Sequence, residues 1–234
     1  MLIAASDIAL HRRQGAWRTL ERAAQHICTQ AREHGGESFS PTLGGGTRLM
    51  LALNHRISDD IDLFVNSPGW LPYVSPRLND ELGDQVTSYQ EESSFVKLSF
   101  PDGEIDFVAA TELLSDEELW NPDAPETTFT LEPPAEVLAK KLFFRGWALT
   151  ARDLFDWVCL RDLAPQHAIP HHTLAKLLRP KLAGLEASLC RLSSSNPAAA
   201  LAWRNIRAAV PLELDSAAQW ARQELTRYAN MRHP

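Results

Sequence analysis

The chain has 234 residues, with 23 Lys and Arg against 30 Asp and Glu, which gives a formal net charge of −7. Hydrophobic residues make up 44% and charged residues 23%, which is typical of a globular protein and excludes collagen-like, disordered and disulfide-scaffold chains. The three cysteines, Cys28, Cys159 and Cys190, lie far apart, which favours a reducing, cytoplasmic compartment and no zinc site. We find no signal-peptide pattern and no apolar run of transmembrane length, so we predict no membrane partner.

The first half of the chain alternates between helical and extended patterns. Residues 8–33 predict one amphipathic helix, because apolar residues recur three, four and seven positions apart and Gly35 and Gly36 follow the last turn. Residues 38–43 predict a short extended segment. Three glycines follow, and residues 47–54 predict a second helix with its apolar residues on one side.

More strands are predicted between residues 60 and 109. Residues 60–65 alternate polar and apolar side chains before becoming apolar, which is typical of a partly buried strand. Residues 71–82 predict a loop with a short helix. Residues 95–100 and 104–109 predict two strands that the Pro-Asp-Gly turn between them joins into a hairpin.

The second half of the chain is predicted to be helical. Residues 112–134 are acidic and contain several prolines, so we predict a connection between domains there. From residue 135 onward, prolines divide a helical pattern into about five helices. This order predicts an α+β fold, with a mixed domain over residues 1–130 and a helical domain over residues 131–234.

An acidic motif lies on the strand predicted at residues 60–65. Side chains alternate faces along a strand, so Asp60 and Asp62 point the same way, about 7 Å apart, while Ile61 enters the core. Two such carboxylates repel each other unless a cation lies between them, and Mg²⁺ or Mn²⁺ is the expected ion because both prefer oxygen ligands. The alternative is that these acids face solvent, which is the favoured interpretation for Asp59.

Asp106 repeats this arrangement on the strand predicted at residues 104–109. As a third carboxylate, it would complete a site for two metal ions of the kind used in nucleotidyl displacement. It would then also accept the proton of an attacking hydroxyl group.

A glycine turn joins the extended segment to the second helix. Gly45 and Gly46 allow the backbone to approach a ligand closely, and the N–H groups at the start of a helix attract anions. Arg48 stands where a P-loop requires its Gly-Lys-Ser/Thr pattern, so the segment is not a P-loop. By itself the turn indicates no more than a tight bend.

Two blocks of the chain resemble a known family. Gly45 and Gly46 are followed by thirteen residues and then by Asp60-Ile61-Asp62-Leu63, which is the signature pattern of the nucleotidyltransferase superfamily. The stretch LGGGTRLMLALNHRISDDIDLF, residues 43–64, closely resembles the AbiEii/AbiGii-type nucleotidyltransferase toxins. The stretch AKKLFFRGWALTARDLFDW, residues 139–157, is similar to the second conserved block of that family, a lysine followed by an Arg-Asp-aromatic-Asp unit.

The resemblance implies a fold and a set of site residues. The fold is a nucleotidyltransferase-like mixed sheet with flanking helices, followed by a C-terminal helical bundle that completes the active site. Metal binding is assigned to Asp60 and Asp62, with Asp106 as the third acid of the superfamily. In the second block, Lys141 contacts the phosphates and Asp153 is the late catalytic acid. The triphosphate is held by four residues of the first block, which are Gly45, Gly46, Thr47 and Ser58.

Three of these assignments have alternatives. Lys140 precedes Lys141 where family members often have Glu, so either lysine is a candidate for the phosphate contact. Asp153 lies three residues after Thr150, which is capping-box spacing, and its role would then be to begin a helix. Arg48 replaces a residue that is commonly small in the family and would crowd the phosphate turn.

Charge is unevenly distributed along the chain. Residues 80–136 hold sixteen acids and one basic residue, Lys97, whereas residues 140–181 hold eight Lys or Arg and three acids. Either these are two solvated faces, or a cation site faces an anionic ligand site. In the second case the basic stretch is the candidate RNA-binding surface, represented by Arg145, Arg152, Lys176, Arg179 and Lys181.

The sequence thus predicts a metal-dependent nucleotidyltransferase that transfers a nucleotide from an NTP to an RNA acceptor, for instance a tRNA 3′ end. The resemblance implies the toxin of a toxin–antitoxin or phage-defence pair, with a cognate antitoxin as protein partner. Two alternatives stay open: the acceptor is a small molecule such as an aminoglycoside or a protein side chain, or the fold is a non-catalytic binding module. Trp147 and Trp157 are interpreted as core residues in preference to base-stacking platforms, and His171 and His172 as no metal site.

Overall fold

The computed structural model describes residues 1–78, 82, 86–114 and 118–231. The chain forms two compact units that are interleaved along the sequence. The sheet unit comprises Ser6–Glu112 and Asn121–Pro133. The helical unit comprises Met1–Ala5, Leu113–Trp120 and Pro134–Pro234. Helices combined with a mixed sheet confirm the predicted α+β class.

The helix predicted over residues 8–33 is two helices, so this prediction is wrong in one respect. They are α1 (Ala5–Gln14) and α2 (Trp17–Gly35). The chain turns at Gly15, whose N–H donates to the carbonyl of His11 at 2.7 Å, and a Cβ at residue 15 would collide with the His11 ring. A single glycine within a periodic apolar pattern does not by itself predict such a break, because helices tolerate isolated glycines.

The two-residue strand β1 (Thr42–Leu43) is all that forms of the extended segment predicted at residues 38–43. Helix α3 (Gly45–Leu53) follows, in agreement with the predicted helix, and ends at Asn54 in the left-handed conformation, φ 51°. The strand predicted next is β2 (Ile61–Val65). A 3-10 helix, Pro68–Val74, covers the first part of the loop and helix predicted at residues 71–82, and residues 79–81 of that prediction lie outside the described residues.

Four more strands complete the sheet. They are β3 (Ser88–Glu92), β4 (Phe95–Phe100), β5 (Gly103–Ala109) and β6 (Thr130–Leu131). Strands β4 and β5 form the predicted hairpin. The sequence did not predict β3, whose side chains are polar and mostly exposed, or the very short β6.

Over the described residues the strand order is β3-β4-β5-β2-β1-β6. Strands β2 and β5 are parallel neighbours, as are β1 and β6, and the other pairs are antiparallel. Ile61, Leu63, Ile105 and Phe107 are fully buried on the face that packs against α2. The strand period therefore turns the intervening residues of β2 and β5 to the opposite face.

The helical unit contains more helices than the five predicted. Six α-helices lie between Pro134 and Asn230 in the described part, and Pro165, Pro170 and Pro197 each begin or precede a helix, as expected. They are α4 (Pro134–Arg145), α5 (Ala151–Leu163), α6 (His171–Leu178), α7 (Leu182–Arg191), α8 (Pro197–Arg204) and α9 (Leu214–Asn230). Among the described helices, none is long and apolar enough to cross a membrane.

Candidate active site

Asp62 on β2 and Asp106 on β5 are register partners on two parallel strands. Both carboxylates lie on the face opposite the buried Ile61, Leu63 and Phe107, and both residues are half-buried. The alternation predicted from the sequence for β2 is thus confirmed. It brings two of the three predicted acids side by side, on strands whose neighbouring residues are fixed by the core.

Gly45, the first residue of α3, approaches the carboxylate of Asp62 closely. Its φ is +62°, and a Cβ built on it would lie 1.7 Å from Oδ2 of Asp62 and 2.6 Å from Cβ of that residue. The N–H of Gly44 donates to the carbonyl of Asp62 at 2.9 Å. Only glycine fits this position, because any other residue would strain the backbone and collide with Asp62. The glycine turn and the acidic strand therefore form one site.

Gly46 and Ser58 meet at the other side of the same turn. A Cβ at residue 46 would lie 2.6 Å from Oγ of Ser58 and 2.9 Å from Nη2 of Arg56, which is buried. Arg56 also donates to the carbonyl of Ile57 at 3.0 Å. Backbone amides at the start of α3, a serine hydroxyl and a guanidinium thus lie together at the glycine turn, whose Gly45 contacts Asp62, and they are a suitable set of groups for a polyphosphate.

Thr47, which the resemblance implies for triphosphate binding, has a side-chain contact within the protein. The residue is fully buried, and its hydroxyl donates to the carbonyl of Asp60 at 2.5 Å. This bond fixes the start of β2 against α3. The side chain of Thr47 therefore stabilises the packing of α3 against β2.

Asp60 lies just before β2 and contacts the start of β5. Its Oδ1 accepts from the N–H of Glu104 at 3.3 Å, beside Gly103, whose φ is +144°. Asp60 and Asp62 therefore have different neighbours, the first at the β4–β5 turn and the second at the glycine turn. In the part of the chain that the structure describes, no group of three or more His, Cys, Asp or Glu has metal-binding geometry.

Lys97, on β4, forms ion pairs with two acids of β5. Its Nζ lies 2.7 Å from Oε2 of Glu104 and 2.9 Å from Oδ2 of Asp106. The charge count along the sequence singled out Lys97 but not this role, because the pairing depends on the register of β4 and β5. We define the sheet site as the cluster of Gly45, Gly46, Ser58, Asp60, Asp62, Lys97 and Asp106.

Asp106 carries an unfavourable charge in this site. Burial, followed by the negative charge of Asp62, raises its pKa to about 6 although Lys97 acts in the opposite direction. Its Oδ1 is buried and has no hydrogen-bond partner among the described residues. A cation between Asp62 and Asp106 would satisfy that oxygen and remove the repulsion, so the residues present fit a divalent metal ion.

Arg48 does not crowd the glycine turn, so that expectation is wrong. Its side chain is fully buried, and Nε donates to the carbonyl of Glu132 at 2.7 Å. Its Nη2 donates to Oδ1 of Asn121 at 2.8 Å and to the carbonyl of Pro122 at 3.0 Å. Arg48 thus holds residues 121–132 in the sheet unit, and burial lowers its pKa to about 10.

The predicted residues of the second block come together in the helical unit. Lys141 on α4 lies 2.9 Å from Oδ1 of Asp153 and 2.8 Å from Oδ2 of Asp156, both on α5. All three residues are buried, and Arg145 donates to Oδ2 of Asp153 at 2.9 Å. Lys140 instead lies 3.6 Å from Glu136, one turn earlier. The two adjacent lysines therefore have separate acidic partners.

Asp153 is also the helix cap that its spacing predicted. It forms a capping box with Thr150, whose N–H and hydroxyl both donate to Oδ2 of Asp153. Burial acts to raise its pKa, but the charges of Lys141 and Arg145 and its hydrogen bonds outweigh burial and lower the pKa to about 2.

Comparison with known families identifies the chain. The family described as "Nucleotidyl transferase AbiEii toxin, Type IV TA system" matches residues 29–224, more than four fifths of the sequence. The chain belongs to the AbiEii family. It is a nucleotidyltransferase, as the two sequence blocks predicted, and the family description adds that the toxin–antitoxin system is of type IV. A search of the curated proteins found no match.

The site residues predicted for this AbiEii family member lie in both units of the chain. The sheet unit holds the glycine turn and the three acids, and the helical unit holds Lys141 and Asp153. The family also supports an NTP as substrate and an antitoxin as partner. The five predicted RNA-binding residues of this AbiEii member all reach the surface of the helical unit, with Lys181 the least exposed of them; they are Arg145, Arg152, Lys176, Arg179 and Lys181.

Proposed function

We propose that this AbiEii family member binds an NTP and Mg²⁺ or Mn²⁺ in the sheet site and transfers a nucleotide to an RNA acceptor, for instance a tRNA 3′ end. The observation that supports this most strongly is the approach of the Gly45 backbone to the Asp62 carboxylate. It joins a phosphate-binding turn to a metal-binding acid, which is the combination that nucleotidyl transfer requires.

The acids of the sheet site would hold the metal ion. Asp62 and Asp106 lie in register, and the buried Oδ1 of Asp106 lacks a hydrogen bond among the described groups. Asp60, whose Oδ1 accepts from the N–H of Glu104, is kept as the third ligand because the resemblance implies it. A bound divalent ion would neutralise phosphate charge in the transition state.

The groups of this chain would perform the remaining steps. The N–H groups of Gly45, Gly46 and Thr47, with the hydroxyl of Ser58, bind the triphosphate and orient the α-phosphate. A hydroxyl of the acceptor attacks the α-phosphorus, a new O–P bond forms, and the bond to the β-phosphate oxygen breaks to release pyrophosphate. The hydroxyl proton passes to Asp106.

Lys141 and Asp153 are proposed to serve the same reaction, as the resemblance implies. Lys141 would contact the phosphates as a point charge, and Asp153 would act as the late acid. Support comes from their burial as a charged group in which Lys141 donates to Asp153 and Asp156 and Arg145 donates to Asp153. Such a buried network is costly to form, and buried ionic groups of this kind cluster at functional sites.

The basic surface of the helical unit supports an RNA acceptor. Arg152, Lys176 and Arg179 are exposed, whereas the chain as a whole carries a net charge of −7. Lys and Arg that neutralise phosphates provide most sequence-independent affinity for RNA. We further propose that the protein acts in the cytoplasm, where NTPs and tRNA are found, and that a cognate antitoxin opposes it, either within one bacterium or in defence against phage.

The test is an incorporation assay with each of the four NTPs, labelled on the α-phosphate, and Mg²⁺. Total tRNA, total protein and an aminoglycoside are offered as separate acceptors. Label in tRNA that Asp62→Ala abolishes supports the proposal, and Asp59→Asn is the matched control because Asp59 pairs with His11 at 2.9 Å instead of joining the site. Label in protein or aminoglycoside, or undiminished transfer by Asp62→Ala, contradicts it.

A further inference from the structure

The indole of Trp147 is exposed to solvent, contrary to the core position expected from the sequence. Its exposed fraction is 71%, the highest of the large apolar side chains in the described part of the chain. Trp157, the other tryptophan of the second block, is 3% exposed and belongs to the core as predicted. A single exposed apolar side chain is common on protein surfaces, so the case for a binding site at Trp147 depends on the groups near it.

The backbone of Trp147 is held firmly although its side chain is exposed. It lies in the 3-10 helix Gly146–Ala148, and its carbonyl accepts from Nη2 of Arg191 at 2.7 Å. Gly184 on α7 packs so closely that a Cβ there would lie 3.3 Å from Cβ of Trp147. Gly146 packs more closely still, since a Cβ there would lie 2.7 Å from Cδ2 of Leu185. The backbone that carries the indole is therefore already ordered, so binding of a partner would not include the entropy cost of ordering a loop.

Three cationic residues of the helical unit lie on or near the segment that holds Trp147. Arg191 contacts its carbonyl, Arg145 lies two residues before it, 52% exposed and paired with Asp153, and Lys181 lies 4.7 Å above the ring of Phe143, four residues before it. Phe144, 45% exposed, lies beside Phe143 and adds a second aromatic ring. One exposed acid, Glu186, lies on the same helix as Arg191. We name Phe144, Arg145, Trp147, Lys181 and Arg191 the Trp147 surface.

We infer that the Trp147 surface is a stacking platform for an unpaired base of the RNA acceptor. Exposed aromatic rings among Lys and Arg bind single strands, because each base has a π-face and each phosphate a negative charge. A base inside a duplex is already stacked on both sides, so the surface selects single-stranded ends or loops. This inference rests on the proposed RNA acceptor and names the part of the acceptor that is bound.

The test measures binding without the chemistry. A fluorescein-labelled oligoribonucleotide of about twelve nucleotides, and a blunt duplex of the same sequence, are titrated with the full chain in EDTA and without NTP, with anisotropy as the readout. Trp147→Ala should weaken single-strand binding about tenfold. Trp147→Phe should remain within about threefold of the wild type, because a ring is kept. Leu201→Ala, on α8 and 53% exposed, is the control and should bind as the wild type does.

Salt dependence separates stacking from loss of charge. The slope of log affinity against log salt should be unchanged in Trp147→Ala, since the phosphate contacts remain, whereas it should fall by about one in Lys181→Gln, which removes a cation of the Trp147 surface. Equal single-strand binding by wild type and Trp147→Ala would overturn the inference and leave a protein partner as the occupant. Absence of binding by the wild type would instead contradict the RNA acceptor itself.

Discussion

Gly45 and Asp62 are in such close approach that the Cα of residue 45 cannot carry a side chain. A Cβ there would lie 1.7 Å from Oδ2 of Asp62, and the φ of +62° adds strain for any residue but glycine. The two residues are seventeen positions apart and lie on α3 and β2, so their contact defines how these elements pack. Substitutions at residue 45 therefore affect both the fold and the chemistry of the AbiEii site.

We expect Gly45→Ala to lower the free energy of unfolding by more than about 2 kcal/mol and to abolish nucleotide transfer. The left-handed conformation costs the alanine about 1–2 kcal/mol, and the collision with Asp62 requires a further shift of α3 or β2. Urea unfolding followed by circular dichroism measures the first effect, and the incorporation assay measures the second.

Gly36→Ala is the control for this substitution. Gly36 has a φ of +111°, but a Cβ there would meet nothing within 4 Å, so it carries the backbone strain without the collision. It should destabilise the protein and leave transfer per folded molecule unchanged. Equal loss of transfer in both variants would show that the contact between residues 45 and 62 is not required for nucleotide transfer.

Metal binding should stabilise the protein through the acids of the sheet site. Millimolar Mg²⁺ or Mn²⁺ should raise the Tm of the wild type, because a ligand that binds only the folded state adds about 1.4 kcal/mol for each tenfold excess over its Kd. Asp62→Asn and Asp106→Asn should lose most of this increase. Asp59→Asn should keep it, and a metal-induced increase that survives in Asp62→Asn would exclude the sheet site as the metal site.

The strand period gave the orientation of Asp62 correctly from the sequence alone, since Ile61 and Leu63 had to face a core. The sequence pattern did not fix the distance between Asp62 and Asp106, because the register of two parallel strands depends on packing that no local pattern encodes. The sequence of the glycine turn alone did not predict that the turn lies beside Asp62. That association came from the resemblance to the family.

Other features were missed for identifiable physical reasons. Lys97 was read as part of a charge count, yet its two ion pairs depend on cross-strand register in the β4–β5 hairpin. Trp147 was assigned to the core by its apolar character, although a 3-10 turn after α4 directs it to solvent. Arg48 was expected near the phosphate turn, but the backbone carbonyls of residues 122 and 132 draw its guanidinium away.

Substitutions of Thr47 test whether its hydrogen bond to the carbonyl of Asp60 stabilises the protein. Thr47→Val keeps the shape of the side chain but removes the hydrogen bond to the carbonyl of Asp60, so the free energy of unfolding should fall by about 1–3 kcal/mol. Thr47→Ser keeps the hydroxyl and should lose less. Urea unfolding compares the two variants, and a larger loss in the serine variant would indicate that the methyl group, not the bond, is what stabilises α3.

Asp153 should make the stability of the protein depend on acid pH. Its pKa is about 2 in the folded state against an ordinary value of 3.8, so the ionised form is favoured by folding. The resulting stabilisation, about 2 kcal/mol, is fully present above pH 4 and is lost as the pH falls through 3 towards 2.

The variant Asp153→Asn lacks this contribution and also leaves Lys141 with one acidic partner fewer. Its deficit in the free energy of unfolding, relative to the wild type, should be large at pH 6 and should shrink by about 2 kcal/mol at pH 2. Urea unfolding at both pH values gives the two differences, in which the titration of groups remote from Asp153 cancels. A deficit that is the same at both pH values would show that the Lys141 and Arg145 charges do not stabilise ionised Asp153.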